Sequence, residues 1–247
     1  MMRIDLLTLF PEFFSSPLSQ SMLQRAQVQG AVTFRVINLR HFTEDRHQVA
    51  DDRPFGGGPG MVMKVEPLAK AIRAVRQESP QVRVILMSPV GKVFNHDKAR
   101  ELARLEHLLL ICGHYEGVDG RINFYIDEEL SIGDYIVTGG EIPGLTVADA
   151  VTRLLPGVLG GEGATEDESF QTGLLEYPHY TRPRVFEGHE APQILLEGDH
   201  ARIARWRRQE ALRRTAARRP DLLEKAALTE EDRKFLHSLA EMPPEDR

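Results

Sequence analysis

"SIGDYIVTGGE", residues 131–141, places glycines inside an otherwise apolar stretch, and this arrangement bears on the whole fold. Four of its residues favour a strand: Ile132, Tyr135, Ile136 and Val137. Three glycines interrupt them: Gly133, Gly139 and Gly140. Glycine weakens a strand because it adds backbone entropy and contributes no side-chain packing. The stretch therefore indicates a backbone that turns sharply or that allows another group to approach very closely.

The sequence before this stretch alternates strand-like and helical patterns. Four short apolar runs are predicted to be strands: "RIDLLTLF" (3–10), "VTFRVINL" (32–39), "VRVILMSP" (82–89) and "HLLLICG" (107–113). Helical patterns cover residues 16–30, with Ser16 as the N-cap, then 95–105 and 144–159. Continuous apolar runs between helices favour a parallel sheet covered on both faces, so the predicted fold class is α/β.

The composition changes after residue 159. Residues 160–173, "GGEGATEDESFQTG", are rich in glycine and acid and are predicted to form a flexible linker or a functional loop. Between Arg202 and Lys225 there are nine Arg or Lys and three acidic residues, in a chain of net charge −6. This local excess favours a helical domain with a phosphate-binding face, and Trp206 is assigned to its core. The predicted boundaries are 1–159, 160–173 and 174–247.

Several classes of protein do not fit the sequence. No apolar run approaches the ~18 residues of a membrane span, and the first residues, "MMRIDLLTLFPEFF", lack the pattern of a signal peptide. The single cysteine, Cys112, excludes an internal disulfide and a multi-cysteine zinc site. We therefore expect a cytoplasmic protein, and no metal site is predicted.

Three strand-end segments have small residues in common: "MSPVG" (87–91), "ICGHYEGVDGR" (111–121) and "SIGDYIVTGGE". In open α/β sheets, ligands bind outside the carboxyl ends of the strands, so the three loops can line one pocket with backbone groups that read an adenine edge. A fourth segment, "DDRPFGGGPGMVMK" (51–64), matches neither the Walker nor the Rossmann pattern, and a purely structural loop remains an alternative.

These motifs, taken in order with "LFPEFF", "RLLPGVLG", "GLLEYPHYTRPRVF" and "RRPDLLEK", closely resemble the bacterial tRNA (guanine-N1)-methyltransferase family, the TrmD family of the SPOUT superfamily. The resemblance implies a first domain with a deep trefoil knot and a small all-helical C-terminal domain that binds tRNA. It also implies a homodimer with active sites shared between subunits, and S-adenosylmethionine as methyl donor. The family admits a magnesium requirement, but the sequence has no metal-ligand constellation of adequate spacing.

The resemblance also implies the site residues. The cosubstrate contacts fall on Ser88, Pro89, Gly113, Tyr115, Glu116, Gly117, Ile132, Gly133, Tyr135, Val137 and Gly140. The catalytic arginine falls on Arg153. The family's proposed base is an aspartate directly before Ser-Phe, where this chain has Glu168 preceded by Asp167, so either carboxylate is a candidate.

The implied reaction is methyl transfer to N1 of guanine at position 37 of tRNA. A carboxylate within ~3 Å of N1 would take its proton, and Arg153 would stabilise the charge that develops on O6. Residues 160–173 would order over the flipped base. Two other readings remain: an enzyme that binds a nucleoside triphosphate on "GGGPG", and a non-catalytic RNA-binding module built on the basic helix.

Overall fold

The computed structural model describes residues 1–160 and 168–241, and the chain divides into two compact units, Met1–Gly160 and Gly161–Arg247. The first unit has seven strands: β1 Met2–Thr8, β2 Val32–Asn38, β3 Asp51–Asp52, β4 Val62–Met63, β5 Arg83–Val93, β6 His107–Cys112 and β7 Glu128–Ser131. Its helices are α1 Ser15–Leu18, α2 Ser21–Val28, α3 Val65–Glu78, α4 His96–Leu102 and α5 Glu141–Thr152.

Five parallel strands form the central sheet, in the order β2-β1-β6-β5-β7. Every residue of β6 is buried, because this strand lies in the middle of the sheet. Its side chains alternate between two hydrophobic clusters: Leu108, Leu110 and Cys112 belong to one, and Leu109 and Ile111 to the other. The predicted α/β class, with a parallel sheet covered on both faces, is therefore confirmed.

The predicted helix over residues 16–30 is wrong in detail. The segment forms two short helices, α1 and α2, and Ser16 lies inside α1 rather than capping it. The break falls before Ser21, which has a φ of +51°, a left-handed conformation that a continuous helix cannot contain. The helix predicted over 144–159 begins earlier, at Glu141, and ends at Thr152.

Over residues 168–241, the second unit contains three α-helices, α6 His200–Arg218, α7 Pro220–Leu223 and α8 Glu230–Glu241. Its small core includes Leu174 and Leu212. The unit is not helical throughout, because β8 Val185–Phe186 and β9 His189–Glu190 form a short antiparallel pair. Among the described residues of the chain, none of the helices has the length and apolar character that crossing a membrane requires.

Trp206 does not lie in the core of the second unit, contrary to the sequence prediction. The residue is half-buried on α6, and its ring lies 6.4 Å from the ring of the half-exposed Tyr180. The buried positions of α6 are instead Ala211, Leu212 and Thr215.

Candidate active site

The middle of β5 and the carboxyl ends of β6 and β7 meet at one cavity of about 350 Å³. This size lies within the usual range of ligand pockets, roughly 300–1,000 Å³. All eleven residues that the family resemblance assigned to the cosubstrate line it: Ser88, Pro89, Gly113, Tyr115, Glu116, Gly117, Ile132, Gly133, Tyr135, Val137 and Gly140. The structure therefore brings together three loops that are far apart in the sequence.

The first of these loops is a break in the pairing of β5 with β7. Met87 pairs with Leu130, and the register then shifts so that Lys92 pairs with the same residue. The residues between them bulge away from the ladder, which places Ser88 and Pro89 at the cavity. Gly91 closes the bulge, because a Cβ there would lie within 3.0 Å of the backbone of Glu129 and Leu130.

The second loop follows β6 and is joined to the glycine-rich segment 51–64. The backbone N–H of Glu116 donates to the carbonyl of Met61 at 3.0 Å, and Met63 donates to the carbonyl of Gly117 at 2.9 Å. Tyr115 has a φ of +62°, a conformation uncommon outside glycine. The glycine-rich segment 51–64, for which a purely structural role remained an alternative, thus supports one wall of the cavity.

The third loop is the stretch from Ser131 to Glu141, which is not a strand beyond its first residue. β7 ends at Ser131, and Gly133 turns the chain with a φ of +143°. The backbone N–H of Gly140 then donates to the carbonyl of Gly113 at 2.6 Å. A Cβ on Gly140 would lie 2.7 Å from the Cα of Cys112, so this position allows only glycine without a shift of the backbone.

The cavity is lined mainly by backbone groups and apolar side chains. None of its lining residues, all of which are described, is Lys or Arg. A site for a triphosphate would ordinarily carry cationic side chains, so this cavity suits an uncharged base and a cationic ligand better. Burial and the nearby Glu141 carboxylate raise the pKa of the Cys112 thiol well above its usual range, which makes it unsuitable as a nucleophile.

Basic side chains lie in a second recess of the first unit, beside the glycine-rich segment. Its lining includes Arg53, Lys64 and Arg121, and Val118 lines both this recess and the cavity. Arg121 is engaged by Asp119, with two nitrogen–oxygen distances of 2.9 and 2.6 Å, and this guanidinium lowers the pKa of the Asp119 carboxyl. Two of the three guanidinium nitrogens of Arg121 are thus already bound to a carboxylate.

Of the predicted catalytic residues, only Arg153 belongs to the described part of the first unit, and it is not among the residues that line the cavity. Arg153 directly follows α5 in the first unit, whereas Glu168 belongs to the second unit, and Asp167 lies outside the described residues. The carbonyl of Glu168 accepts a hydrogen bond from the Gln171 N–H at 3.1 Å. Residues 168–173 of the predicted linker therefore form a hydrogen-bonded turn.

The excess positive charge of α6 is partly neutralised within the second unit. Arg208 is bound to Asp232 at 2.8 Å, and Arg214 donates to the carbonyl of Glu176 at 3.0 Å. In the part of the chain that the structure describes, Arg205 and Arg218 have no acidic partner. The basic face predicted from sequence is thus smaller than the count of charges indicates.

Sequence reasoning missed two polar residues at the base of the cavity, His114 and Glu141. Both lie inside the motifs that the sequence singled out, but neither was given a role. His114 lines the cavity and forms an isolated bridge with Gly139. Glu141 is buried at the start of α5. Their proximity could not be read from spacing, because the two residues belong to different loops. Among residues 1–160 and 168–241, no group of three or more His, Cys, Asp and Glu side chains is placed to hold a metal ion.

The profile of the family described as "tRNA (Guanine-1)-methyltransferase TrmD" matches residues 2–225. Three relatives carry the name "tRNA (guanine-N(1)-)-methyltransferase". The protein of Dictyoglomus turgidum is 55% identical over 97% of both chains. That of Geobacter metallireducens is 51% identical over 97% of this chain and 98% of its own. That of Dehalococcoides mccartyi is 52% identical over 99% of this chain and 100% of its own. With a family match over most of its length and several relatives above half identity, this chain belongs to the tRNA (guanine-1)-methyltransferase family.

Proposed function

We propose that the protein transfers a methyl group from S-adenosylmethionine to N1 of guanine at position 37 of tRNA. The observation that carries this proposal is the cavity, because the eleven residues assigned to the cosubstrate converge on it from three separate loops. The glycines at 113, 133 and 140 line the cavity without side chains of their own, so backbone groups there can read an adenine edge.

The absence of lining Lys and Arg side chains from this cavity, which is built of described residues, also favours this ligand. S-adenosylmethionine supplies a methyl group on a positively charged sulfonium, which is already an activated electrophile. A nucleoside triphosphate carries several negative charges and would need cationic contacts. This cavity therefore suits the methyl donor better than it suits a triphosphate.

The remaining chemical task of the protein lies at the guanine. N1 carries a proton and is a poor nucleophile while it does, so a carboxylate must accept that proton as the N1–methyl bond forms and the sulfur–methyl bond breaks. We assign this role to Glu168 or Asp167. Arg153 is permanently charged and has several donors, so it suits the negative charge that develops on O6.

The position of Arg153 supports an active site shared between two subunits. The twelve residues of α5 separate the cavity end at Glu141 from Arg153. At a rise of about 1.5 Å per residue, this places Arg153 roughly 18 Å along the helix from the cavity end. We propose that a homodimer brings Arg153 and the carboxylate of one chain to the cavity of its partner.

An exposed apolar surface on the first unit supports the same proposal. Phe10, Phe13 and Ile142 are each more than 40% exposed. Phe10 and Phe13 lie at the 3₁₀ turn Pro11–Phe14, which contacts α5, the helix that carries Ile142. Contiguous exposed apolar residues of this kind are typical of a protein–protein interface.

We also propose that the first unit contains the deep trefoil knot of the SPOUT superfamily. The backbone comes very close to itself at two places near the cavity: a Cβ on Gly91 would lie 2.4 Å from the carbonyl carbon of Glu129, and a Cβ on Gly140 would lie 2.7 Å from the Cα of Cys112. Only glycine allows such close approaches. A tRNA substrate further implies a cytoplasmic location, with Arg205 and Arg218 of the second unit facing phosphates.

Methyl transfer from labelled S-adenosylmethionine to tRNA transcripts tests the function. We expect label in a transcript with guanine at position 37 and none when adenine replaces it. A non-catalytic RNA-binding module would bind both transcripts and label neither, and this result would refute the proposal.

The same assay tests the base. If Glu168 is the base, Glu168→Gln lowers turnover by about 10²–10⁴-fold while cosubstrate binding is retained. If Asp167 is the base, Asp167→Asn has this effect and Glu168→Gln does not. Normal turnover by both variants would refute a carboxylate base in this segment.

A further inference from the structure

Glu141 is a buried carboxylate directly behind the cavity. It is the first residue of α5 and is only 5% exposed. A helix N-terminus favours an acidic residue through its dipole, but an exposed side chain would serve that purpose equally well. Burial of a carboxylate is costly unless it is paired or hydrogen-bonded, so the contacts of Glu141 call for a separate explanation.

One oxygen of Glu141 is fixed by the end of β1. The hydroxyl of Thr8 donates to Oε1 of Glu141 at 2.7 Å, and the same hydroxyl accepts the backbone N–H of Phe10 at 2.9 Å. Because the hydroxyl has only one proton, this pattern directs that proton to the carboxylate. Thr8 is itself fully buried, so the orientation of the carboxylate is set by a rigid strand.

The second oxygen faces the imidazole of His114. Oε2 of Glu141 lies 3.7 Å from Nδ1 of His114, which is too far for a hydrogen bond. Nδ1 is buried, and in the described part of the chain it has no hydrogen-bond partner. Buried polar atoms are nearly always hydrogen-bonded, so an inward movement of the ring by less than 1 Å would satisfy Nδ1 at the carboxylate.

The surroundings of His114 connect this pair to the cavity. The imidazole packs between Phe10, at a ring distance of 4.7 Å, and Tyr115, at 5.1 Å in an edge-on arrangement. Tyr115 lines the cavity. Gly139 lies beside both groups. A Cβ at this position would lie within 3.0 Å of the imidazole and of the carboxylate, so the pair can be close only because residue 139 has no side chain.

We propose that Glu141 is a positioning residue of the cosubstrate cavity: anchored by Thr8, it accepts the Nδ1–H of His114 when the cavity is filled, and so fixes the loop that carries Tyr115. This inference rests on the proposed function, since it takes the cavity to be the binding site for S-adenosylmethionine. Glu141 touches neither substrate in this assignment and acts only through His114.

A Glu141→Gln variant tests the proposal, because glutamine has nearly the same shape but can donate a proton to Nδ1 instead of accepting one. The variant exchanges a hydrogen bond to a charged carboxylate for a weaker bond between neutral groups, a difference that corresponds to roughly fivefold to tenfold in affinity. We expect the Kd and the KM for S-adenosylmethionine to rise by about this factor, with kcat at saturation changed less than threefold. Asp149→Asn removes the same charge from an exposed position of the same helix and should change neither constant.

Nitrogen NMR of labelled histidine provides a signature that a merely structural role would not produce. In the bound wild-type protein we expect His114 to carry its proton on Nδ1, and in Glu141→Gln on Nε2. Thr8→Ser retains the hydroxyl and should bind S-adenosylmethionine almost as tightly as the wild type, whereas Thr8→Val should bind it more weakly.

These measurements distinguish failure of the proposed function from failure of the positioning role of Glu141. If the wild-type protein binds no S-adenosylmethionine in calorimetry, the proposed function fails, and this inference fails with it. If the wild type binds while Glu141→Gln binds equally tightly and keeps the wild-type tautomer of His114, the positioning role alone is refuted.

Discussion

Gly140→Ala places one methyl group where two loops of the cavity touch. The added Cβ would lie 2.7 Å from both the Cα of Cys112 and the backbone nitrogen of Gly113. Ordinary carbon contacts begin near 3.4 Å, so the loops must separate by about 0.7 Å. The neighbouring atoms belong to the backbone of buried β6, which cannot move aside as a flexible side chain would.

The structure sets the size of the expected effect. Forcing an extra methyl group into a packed site costs about 1–3 kcal/mol, and the hydrogen bond from the Gly140 N–H to Gly113, 2.6 Å long, would stretch. For a protein of this size, Tm falls by about 2–4 °C per kcal/mol. A shift of this order at a binding site should weaken S-adenosylmethionine binding by about tenfold to hundredfold.

Calorimetry and thermal unfolding of the full chain measure both effects. The matched control is Gly120→Ala, which adds the same methyl group at a position with no atom within 4 Å and no positive φ. We expect the control to retain wild-type affinity and Tm. Wild-type affinity in Gly140→Ala would refute the reasoning that this close approach shapes the cavity.

Two further predictions concern the surface of the first unit and the stability of the second. Ile142→Glu places a charge on a side chain that is 47% exposed; we expect light scattering to detect monomers and methyl transfer to fall sharply, and an active dimer would contradict the proposed interface. The hydrogen bond from Arg208 holds the pKa of the Asp232 carboxyl below its usual value of 3.8. The ionised carboxylate therefore stabilises the fold fully above pH 3.8. The stabilisation is lost as the pH falls from 3.8 through the lower pKa of the folded state. Asp232→Asn should therefore lower stability at pH 7 by about 1.5–3 kcal/mol in thermal unfolding, and the difference from wild type should shrink towards pH 3; a difference that does not depend on pH would contradict this reading.

Sequence patterns were sufficient to predict the elements that are buried along their whole length. The run from Leu108 to Cys112 is apolar throughout because β6 is buried on both faces, and this pattern identifies a central parallel strand directly. The strand-end loops were also predictable, because glycines adjoin apolar runs wherever the chain must turn at the cavity. The grouping of Ser88, Gly113 and Gly133 follows from the parallel topology, which brings the bulge of β5 and the ends of β6 and β7 to one place in the sheet.

The remaining features depend on contacts between residues distant in sequence. Ile136 and Val137 have strand propensity but line the cavity in a loop, because tertiary contacts override local preference. Ser21 interrupts a predicted helix without any Gly or Pro to signal it. The role of Glu141 is visible only once the fold has brought Thr8, 133 residues away, to within hydrogen-bonding distance.

A crystal structure of the protein with S-adenosylmethionine tests the central claim most directly. We predict density for the cosubstrate in the cavity between the β5 bulge and the loops that follow β6 and β7, with the adenine against backbone groups near Gly133 and Gly140. Density at any other place, or a cavity that stays empty at saturating concentration, would contradict the account.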